Sequence, residues 1–344
     1  MNSLPKLSAG DRVAVLSPSF AAPGFAPAVH EQAMERIRNV LGLEPVEYPT
    51  TRRLRASAAA RAADVNAAFA DPDIKAIFAS VGGDDQITVV PHLDAQVVKA
   101  NPKPFLGYSD NTNMLNWLWQ LGVPAYYGGS TQVHIGAGPG IDDVHLQSLR
   151  AALFRGGEIE LFEPGEAEDF GPDWLEPAAL TDYGDREPTE PWVWGGPQKV
   201  VSGKTWGGCL EVLDGIALAD RLPSTDQVKG SIMLFETSEG LPAAEWVYRW
   251  LRGLGERGFL QAAAGVLVAR PPASTHGHIP GAEQRAEHRA EQLDVVQTIM
   301  GVYNPEAPYC VGVPFGHTRP QWIVPYGGQM TLDGNNKTVT ADYS

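Results

Sequence analysis

Pro104-Phe-Leu-Gly-Tyr-Ser-Asp-Asn-Thr112 is the stretch from which the rest of the chain is read. Phe105-Leu106 is an apolar run closed by Gly107, and behind Asn111-Thr112 the residues Met114, Leu115, Leu118 and Trp119 recur at helical spacing. That is strand, sharp turn, helix, with Ser109 at the apex. Such a turn lifts a hydroxyl above the sheet edge and aims the first amides of the helix at it. The pattern is G-x-S-x-N in place of G-x-S-x-G, and asparagine ranks next to glycine in entering left-handed turns. On this stretch alone Ser109 is a candidate nucleophile; the competing reading is a plain helix cap.

Working outward, strands and helices alternate with short connections. Arg12-Val-Ala-Val-Leu-Ser17 is a β-branched run ending at Pro18, Pro45 to Tyr48 is a second strand, and Ile74 to Val81 is a third, ending in Gly82-Gly83. Between them Val29, Ala33, Ile37 and Val40-Leu41 keep a helical period up to Gly42, and Ser57 caps an Ala-rich helix reaching Phe69. A helix is expected around Ile87 to Leu93. This alternation predicts a parallel α/β layer. In such sheets ligands sit beyond the carboxyl ends of the strands, so Ser17-Pro18-Ser19, Gly82-Gly83 and Ser109 share one rim.

The bulk numbers narrow the function. With 344 residues and 43% hydrophobic content the chain can bury a large core, and its length suggests two domains. A formal charge of −15 argues against nucleic acid or an anionic membrane as partner. Two cysteines, Cys209 and Cys310, make no disulfide framework and fit a reducing compartment. The first ten residues hold no apolar signal region and no run approaches a membrane span, so a cytoplasmic location is expected.

The expected division is an N-terminal α/β domain over 1–155, a linker or aromatic flap over 156–203, and a C-terminal domain over 204–344. The middle segment is rich in acids, Pro and Gly, without a period, and carries Phe162, Phe170, Trp174, Trp192 and Trp194. So many aromatics suit a packed segment reaching a cleft better than a solvated linker. Beyond it, Trp206-Gly-Gly-Cys-Leu enters a helix, Ser231 to Phe235 and Gly265 to Ala269 are strands, and Ala244 to Leu254 is amphipathic. His276 to Glu291 reads as a charged loop and helix. Tyr309 to Val313 is a strand leading to Pro314-Phe-Gly-His-Thr-Arg-Pro320, and the alternating tail reads as hairpins covering an edge.

A serine hydroxyl needs a base within hydrogen-bond reach, usually a histidine oriented by a carboxylate. Of eight histidines, His30, His145 and His288 read as solvated helix faces, His92 as a helix end and His134 as part of a Gly-rich loop. His276-Gly-His278 lacks metal-ligand spacing, and no metal is expected. His317 directly follows a strand, where a rim residue would be. Glu236 ends the most apolar strand of the second half; Glu239, Glu211 and Asp214 compete with it. The Asp110 amide, with Gly82-Gly83 nearby, could serve an oxyanion. Arg270, just after a strand, is a candidate cation for a substrate carboxylate.

Taken together, Gly107-Tyr-Ser-Asp, the Ile74 to Gly83 run, Asn66-Ala-Ala-Phe-Ala-Asp-Pro72, Trp206-Gly-Gly-Cys-Leu210, Leu234-Phe-Glu-Thr237 and Gly316-His-Thr318 resemble the L,D-carboxypeptidase family of serine peptidases, in the same order over nearly the whole chain. That family includes murein tetrapeptide carboxypeptidases and microcin C immunity peptidases. The resemblance implies a Rossmann-like N-terminal domain and a smaller β-rich swivelling domain. It implies a Ser109, Glu236 and His317 triad split between them, with an oxyanion hole of amides near Gly83 and Asp110. It also implies a cytoplasmic homodimer without metal or cofactor, acting on a small peptide or peptidyl-nucleotide. Two departures bear on substrate. Cys209 stands where the murein enzymes typically have asparagine, and Trp174, Trp192 and Trp194 look more like the microcin-immunity branch, which stacks a base on aromatics of this region. The alternatives are an α/β-hydrolase esterase, which shares the Ser, Glu, His order but would need an HGGG-type segment, and a non-catalytic nucleotide binder resting on Gly136 to Gly140.

Overall fold

The computed structural model describes residues 4–344. A six-stranded sheet is built from β1 (Arg12–Leu16), β2 (Glu44–Glu47), β3 (Ile74–Ala79), β4 (Phe105–Gly107), β5 (Ala125–Tyr127) and β14 (Val324–Tyr326), in the order β14-β5-β4-β3-β1-β2. The first five strands are mutually parallel where they pair. Their side chains are buried nearly without break from Val13 to Leu16 and from Ala76 to Ala79, as a sheet covered on both faces requires. Helices Pro27–Asn39, Ala58–Ala70 and Thr112–Gln120 supply the covering. Ser57 caps the second of these by accepting from the Ala60 amide at 3.3 Å.

The second sheet has eight strands: β6 (Glu158–Leu161), β16 (Thr338–Asp342), β15 (Gln329–Asp333), β10 (Val200–Cys209), β11 (Ile232–Glu236), β12 (Gly265–Ala269), β13 (Tyr309–Val313) and β9 (Val193–Gly195), in that spatial order. Its centre, β10 to β13, is parallel, and both flanks are antiparallel. A short ribbon, β7 (Glu166–Ala167) with β8 (Glu187–Pro188), lies between β6 and β9 in sequence. The 156–203 segment is therefore woven into this sheet at both ends. Helix Ala244–Glu256 buries Val247, Leu251 and Leu254, and packs beside helix Ala282–Tyr303.

Several local expectations are corrected. Ile87 to Leu93 forms two 3₁₀ turns, Gln86–Thr88 and Val90–His92, because Pro91 has no amide to continue a helix. The charged helix starts at Ala282, after Pro280-Gly281, and runs to Tyr303 on the apolar face of Val296, Ile299 and Met300. The tail does form the β15–β16 hairpin, but β14 leaves it and pairs with β5, so the C-terminal segment completes the first sheet. His30 and His145 are fully buried, not solvated. His30 faces Glu47 at 3.4 Å and His145 Nδ1 lies 3.0 Å from the Gln321 carbonyl, partners too distant in sequence for a helical period to reveal.

Candidate active site

The turn after β4 is strained at one residue. Ser109 has φ +62°, a left-handed conformation that costs a non-glycine residue about 1–2 kcal/mol. Asn111, by contrast, is right-handed (φ −64°), so the asparagine of G-x-S-x-N does not supply the left-handed backbone. Its side chain braces the turn instead. Asn111 Nδ2 donates to the carbonyls of Tyr108 (3.1 Å) and Val81 (3.2 Å), and Gln86 Nε2 donates to Asn111 Oδ1 at 2.7 Å. Gln86 Oε1 in turn accepts the Met114 amide at 3.0 Å, tying the first turn of the following helix to the same network. Gly82 faces the serine so closely that a Cβ there would lie 2.8 Å from Ser109 Oγ. Gly83 and Asp110 line the same cleft as Ser109. Asp110 holds its carboxyl away from that role, accepting from Ser19 Oγ, the Gln86 amide (2.8 Å) and Asn113 Nδ2 (2.9 Å).

Glu236, the last residue of β11, and His317, in the loop after β13, meet across the second sheet: His317 Nδ1 lies 2.5 Å from Glu236 Oε2. Both are buried. Burial alone would drive the imidazole toward its neutral form, but the Glu236 carboxylate and its hydrogen bond outweigh it, with Glu239 and Glu211 adding to the effect, and raise His317 to about 9. Burial pushes Glu236 upward, opposed by His317 and by a hydrogen bond from Tyr127. That phenol donates to Glu236 Oε1 at 2.5 Å and accepts the Ser109 amide at 3.4 Å, linking the serine turn to the acid.

The two sheets approach at Gly208. Its φ is +126°, and a Cβ there would lie 2.7 Å from the Thr112 side chain and 3.1 Å from the Tyr127 ring, so no larger residue fits. Next to it, the Cys209 amide donates to Thr112 Oγ1 at 3.2 Å, and Cys209 pairs with Glu236 in the β10–β11 register. Burial, together with Glu236 and Glu211, pushes the Cys209 thiol well above its ordinary value, so it lines the cleft as a neutral thiol.

Behind His317 stands a column of rings: His317 on Tyr108 (centroids 5.0 Å apart), Tyr108 on His134 (5.5 Å), and His134 on His145 (4.7 Å). Burial and the neighbouring His145 and Arg319 hold His134 far below its usual value, so it packs as a neutral ring. The other imidazole nitrogen, His317 Nε2, is buried and has no hydrogen-bond partner among the described residues; Glu239 Oε2 lies 3.3 Å from it without hydrogen-bond alignment.

The cleft in front of Ser109 encloses about 290 Å³ and is lined by Gly83, Asp84, Asp110, Cys209, Glu211 and Glu239 among others. The three tryptophans and Arg270 are not in that lining. Trp174 packs with Val29, Ala137 and Ala179, and Trp192 and Trp194 lie half-buried against the main core, where β9 joins β13. Arg270 is buried and already engaged by Asp169 (3.0 Å), Glu187 (3.0 Å) and Glu190 (3.1 Å). The acid-rich segment that the sequence suggested would reach a cleft thus reaches this arginine. Tyr127, Gln86 and the ring column behind His317 were not singled out from sequence, and Asn111 was read as a backbone-turn residue, whereas its side chain braces the turn. No group of three or more His, Cys, Asp or Glu able to hold a metal occurs among the described residues.

A serine on a strained strand–helix turn, tied through the Tyr127 phenol to a buried carboxylate that holds a histidine, presents residue types that serine hydrolases use. Residues 13–128 match the N-terminal domain of LD-carboxypeptidases and residues 202–332 the C-terminal domain, and the chain belongs to that family. Among its relatives, the microcin C7 self-immunity protein of Escherichia coli is 26% identical over 284 residues, covering 81% of this chain and 77% of that one. The murein tetrapeptide carboxypeptidase of Pseudomonas aeruginosa is 25% identical over 334 residues, covering 94% of each. The microcin C7 protein has been solved with glutamyl sulfamoyl guanosine; that structure shares the fold at a TM-score of 0.84 and 22% identity, covering 99% of this chain and 98% of that one. No helix among the described residues is long and apolar enough to cross a membrane.

Proposed function

We propose that the chain hydrolyses the C-terminal amide bond of a small peptide or an aminoacyl-nucleotide through an acyl-enzyme on Ser109. The observation that supports this reading is the Glu236–His317 pair of the second sheet, linked through the Tyr127 phenol to the amide of the strained Ser109. Ser109 Oγ attacks the carbonyl carbon while His317 Nε2 takes its proton. The tetrahedral oxyanion is held by the amides of Gly83 and Asp110, two residues of the cleft that also holds Ser109. The proton on Nε2 passes to the leaving nitrogen as the C–N bond breaks, and water, deprotonated by the same nitrogen, releases the acyl group. Glu236 fixes the imidazole with Nδ1 as donor and stabilises the imidazolium.

For this reaction Nε2 must be free of other hydrogen bonds, as it is. Two relatives supply the substrate classes, since one is named for immunity to a microcin and the other for murein tetrapeptides. The enzyme acts as a cytoplasmic homodimer in this reading. The test offers purified protein a murein tetrapeptide and an aspartyl-adenylate amide side by side, with Ser109→Ala as control. Release of the C-terminal residue or nucleotide by the wild type alone is expected. Turnover by Ser109→Ala at the wild-type rate would overturn the assignment.

A further inference from the structure

We infer that Arg319 is a positioning residue for the hydrolysis, a clamp that fixes the loop carrying His317 and so sets where the base stands. The inference rests on the serine-hydrolase reading above. His317 lies in the connection 314–323, which leaves β13 in the second sheet and enters β14 in the first. The bond from Nδ1 to Glu236 fixes one end of the ring but not the backbone that carries it. Proton transfer from a serine tolerates little misplacement, so that backbone must be held as well.

Two residues on, Arg319 is buried and reaches the flank of the first sheet. Nε donates to Asp142 Oδ2 at 2.6 Å and Nη1 to the Val133 carbonyl at 3.3 Å. Nη2 donates to the main-chain carbonyl of Gly140 at 3.0 Å, an acceptor that any residue there would keep. That wall is braced in its own right, because Arg36 donates to the carbonyls of Ile135 (2.9 Å), Gly136 (3.0 Å) and Gly138 (2.7 Å). The Arg319 backbone is fixed too. Its amide donates to the Glu168 carbonyl at 2.9 Å, and its carbonyl accepts the Glu168 amide at 2.7 Å. The loop is closed on itself, with the Trp322 amide donating to the Pro314 carbonyl at 2.7 Å and Gln321 Nε2 to the Gly316 carbonyl at 2.8 Å. A shift at Arg319 is therefore passed to His317.

A purely electrostatic role can be told apart, because a second arginine shares the same carboxylates. Arg186, in the 156–203 segment, lies 2.6 Å from Asp142 Oδ1 and 3.4 Å from Glu168 Oε2. Were Arg319 needed only to neutralise buried acid, either arginine would serve. Arg319 differs in joining a carboxylate and two carbonyls through one planar fork on the loop of the base. It does not line the cleft, so it acts through His317 and not on substrate.

The test compares Arg319→Lys with Arg186→Gln. Arg319→Gln would remove a buried cation and endanger the fold, whereas lysine keeps a charge beside Asp142 but cannot span the carboxylate and both carbonyls. In Arg319→Lys, kcat for a hydrolysed peptide is expected to fall by about ten- to a hundredfold with KM nearly unchanged. Arg186→Gln is expected to lower the unfolding free energy in urea and keep the wild-type kcat. Proton NMR gives a readout independent of turnover: the far-downfield signal of the His317 Nδ1 proton, identified by its loss in His317→Gln. That signal is expected to move or broaden in Arg319→Lys and to stay in Arg186→Gln. Wild-type kcat with an unmoved signal in Arg319→Lys would overturn the inference and leave the hydrolase reading standing. Equal losses of kcat in the two variants would overturn it as well, since they would point to charge neutralisation. A signal displaced only in Arg319→Lys, with no turnover of any peptide by the wild type, would uphold the clamp and overturn the hydrolase reading.

Discussion

Tyr127 and Glu236 belong to different sheets and meet through one hydrogen bond, the phenol donating to Oε1 at 2.5 Å. Burial and the Glu236 charge keep this tyrosine protonated, so it is a fixed donor. With the Ser109 amide donating to its phenol oxygen, Tyr127 joins the serine turn to the acid that holds the histidine. Glu236 Oε1 has no other hydrogen-bond partner among the described residues, and the Glu236 side chain has no exposed surface. Tyr127→Phe therefore strands a buried carboxylate oxygen, which costs about 1–3 kcal/mol. We expect kcat to fall by about ten- to a hundredfold. KM is expected to change little, because Tyr127 does not line the cleft. Steady-state kinetics with a matched denaturation curve separates this from general unfolding.

The raised His317 sets a pH dependence. The base form of the imidazole is the active one, and its conjugate acid persists to about 9. kcat/KM should therefore climb through neutral pH and level off near that value. Glu239→Gln removes one of the negative neighbours that hold the proton, so the rising limb is expected to move to lower pH. The same raised value bears on stability: with an unfolded value of roughly 6.5, protonated His317 contributes fully below that pH while Glu236 stays ionised. Its contribution is lost as pH rises through about 9. A profile of kcat/KM that is flat from neutral to alkaline pH in both proteins would refute the assignment of His317 as base.

What could be read from the sequence follows the range over which each signal acts. The elbow at Ser109 is local: an apolar strand, a glycine and a helical period lie within a few residues of one another, and the structure has them there. Glu236 and His317 were singled out because each closely follows a strand, and the structure brings those two side chains together. Tyr127 carries no signal in the sequence, because its importance comes from a carboxylate on another sheet. The same holds for β14, whose pairing with β5 joins residues about two hundred positions apart in sequence. His145 looked like a solvated helix residue, since nothing nearby in sequence shows the chain from Gln321 crossing it. Aromatic and acidic residues between 156 and 203 signalled a packed segment, but not what it packs on.

Gly82 offers a test of the close approach at the serine. A methyl group there would come within 2.8 Å of both Cβ and Oγ of Ser109, and within 3.2 Å of the Asp110 amide nitrogen. Neither neighbour can retreat without unwinding the strained turn. Gly82→Ala is expected to lower kcat by at least about a hundredfold, the scale of losing one oxyanion donor. Gly140→Ala, where a methyl meets nothing within 4 Å, serves as the control and should keep wild-type rates.

Arg270 tests how the 156–203 segment is held. Its guanidinium binds Asp169, Glu187 and Glu190, and Arg289 reaches the same three carboxylates, while Arg285 adds a bond to Glu187. Arg270 and Asp169 are each only 3% exposed, so removing this cation leaves the buried Asp169 carboxylate with Arg289 as its one remaining cation among the described residues. Breaking such a pair from one side costs about 3–5 kcal/mol. Arg270→Ala should lower the unfolding free energy measured in urea accordingly, whereas Arg249→Ala, which breaks an exposed i, i+4 pair with Glu245, should change it by less than about 0.5 kcal/mol. The kinetic comparison separates structure from recognition. If Arg270 anchored a substrate carboxylate, Arg270→Lys would raise KM while the fold held. With all three of its donor edges turned to the segment, we expect Arg270→Lys to lose stability and keep its KM.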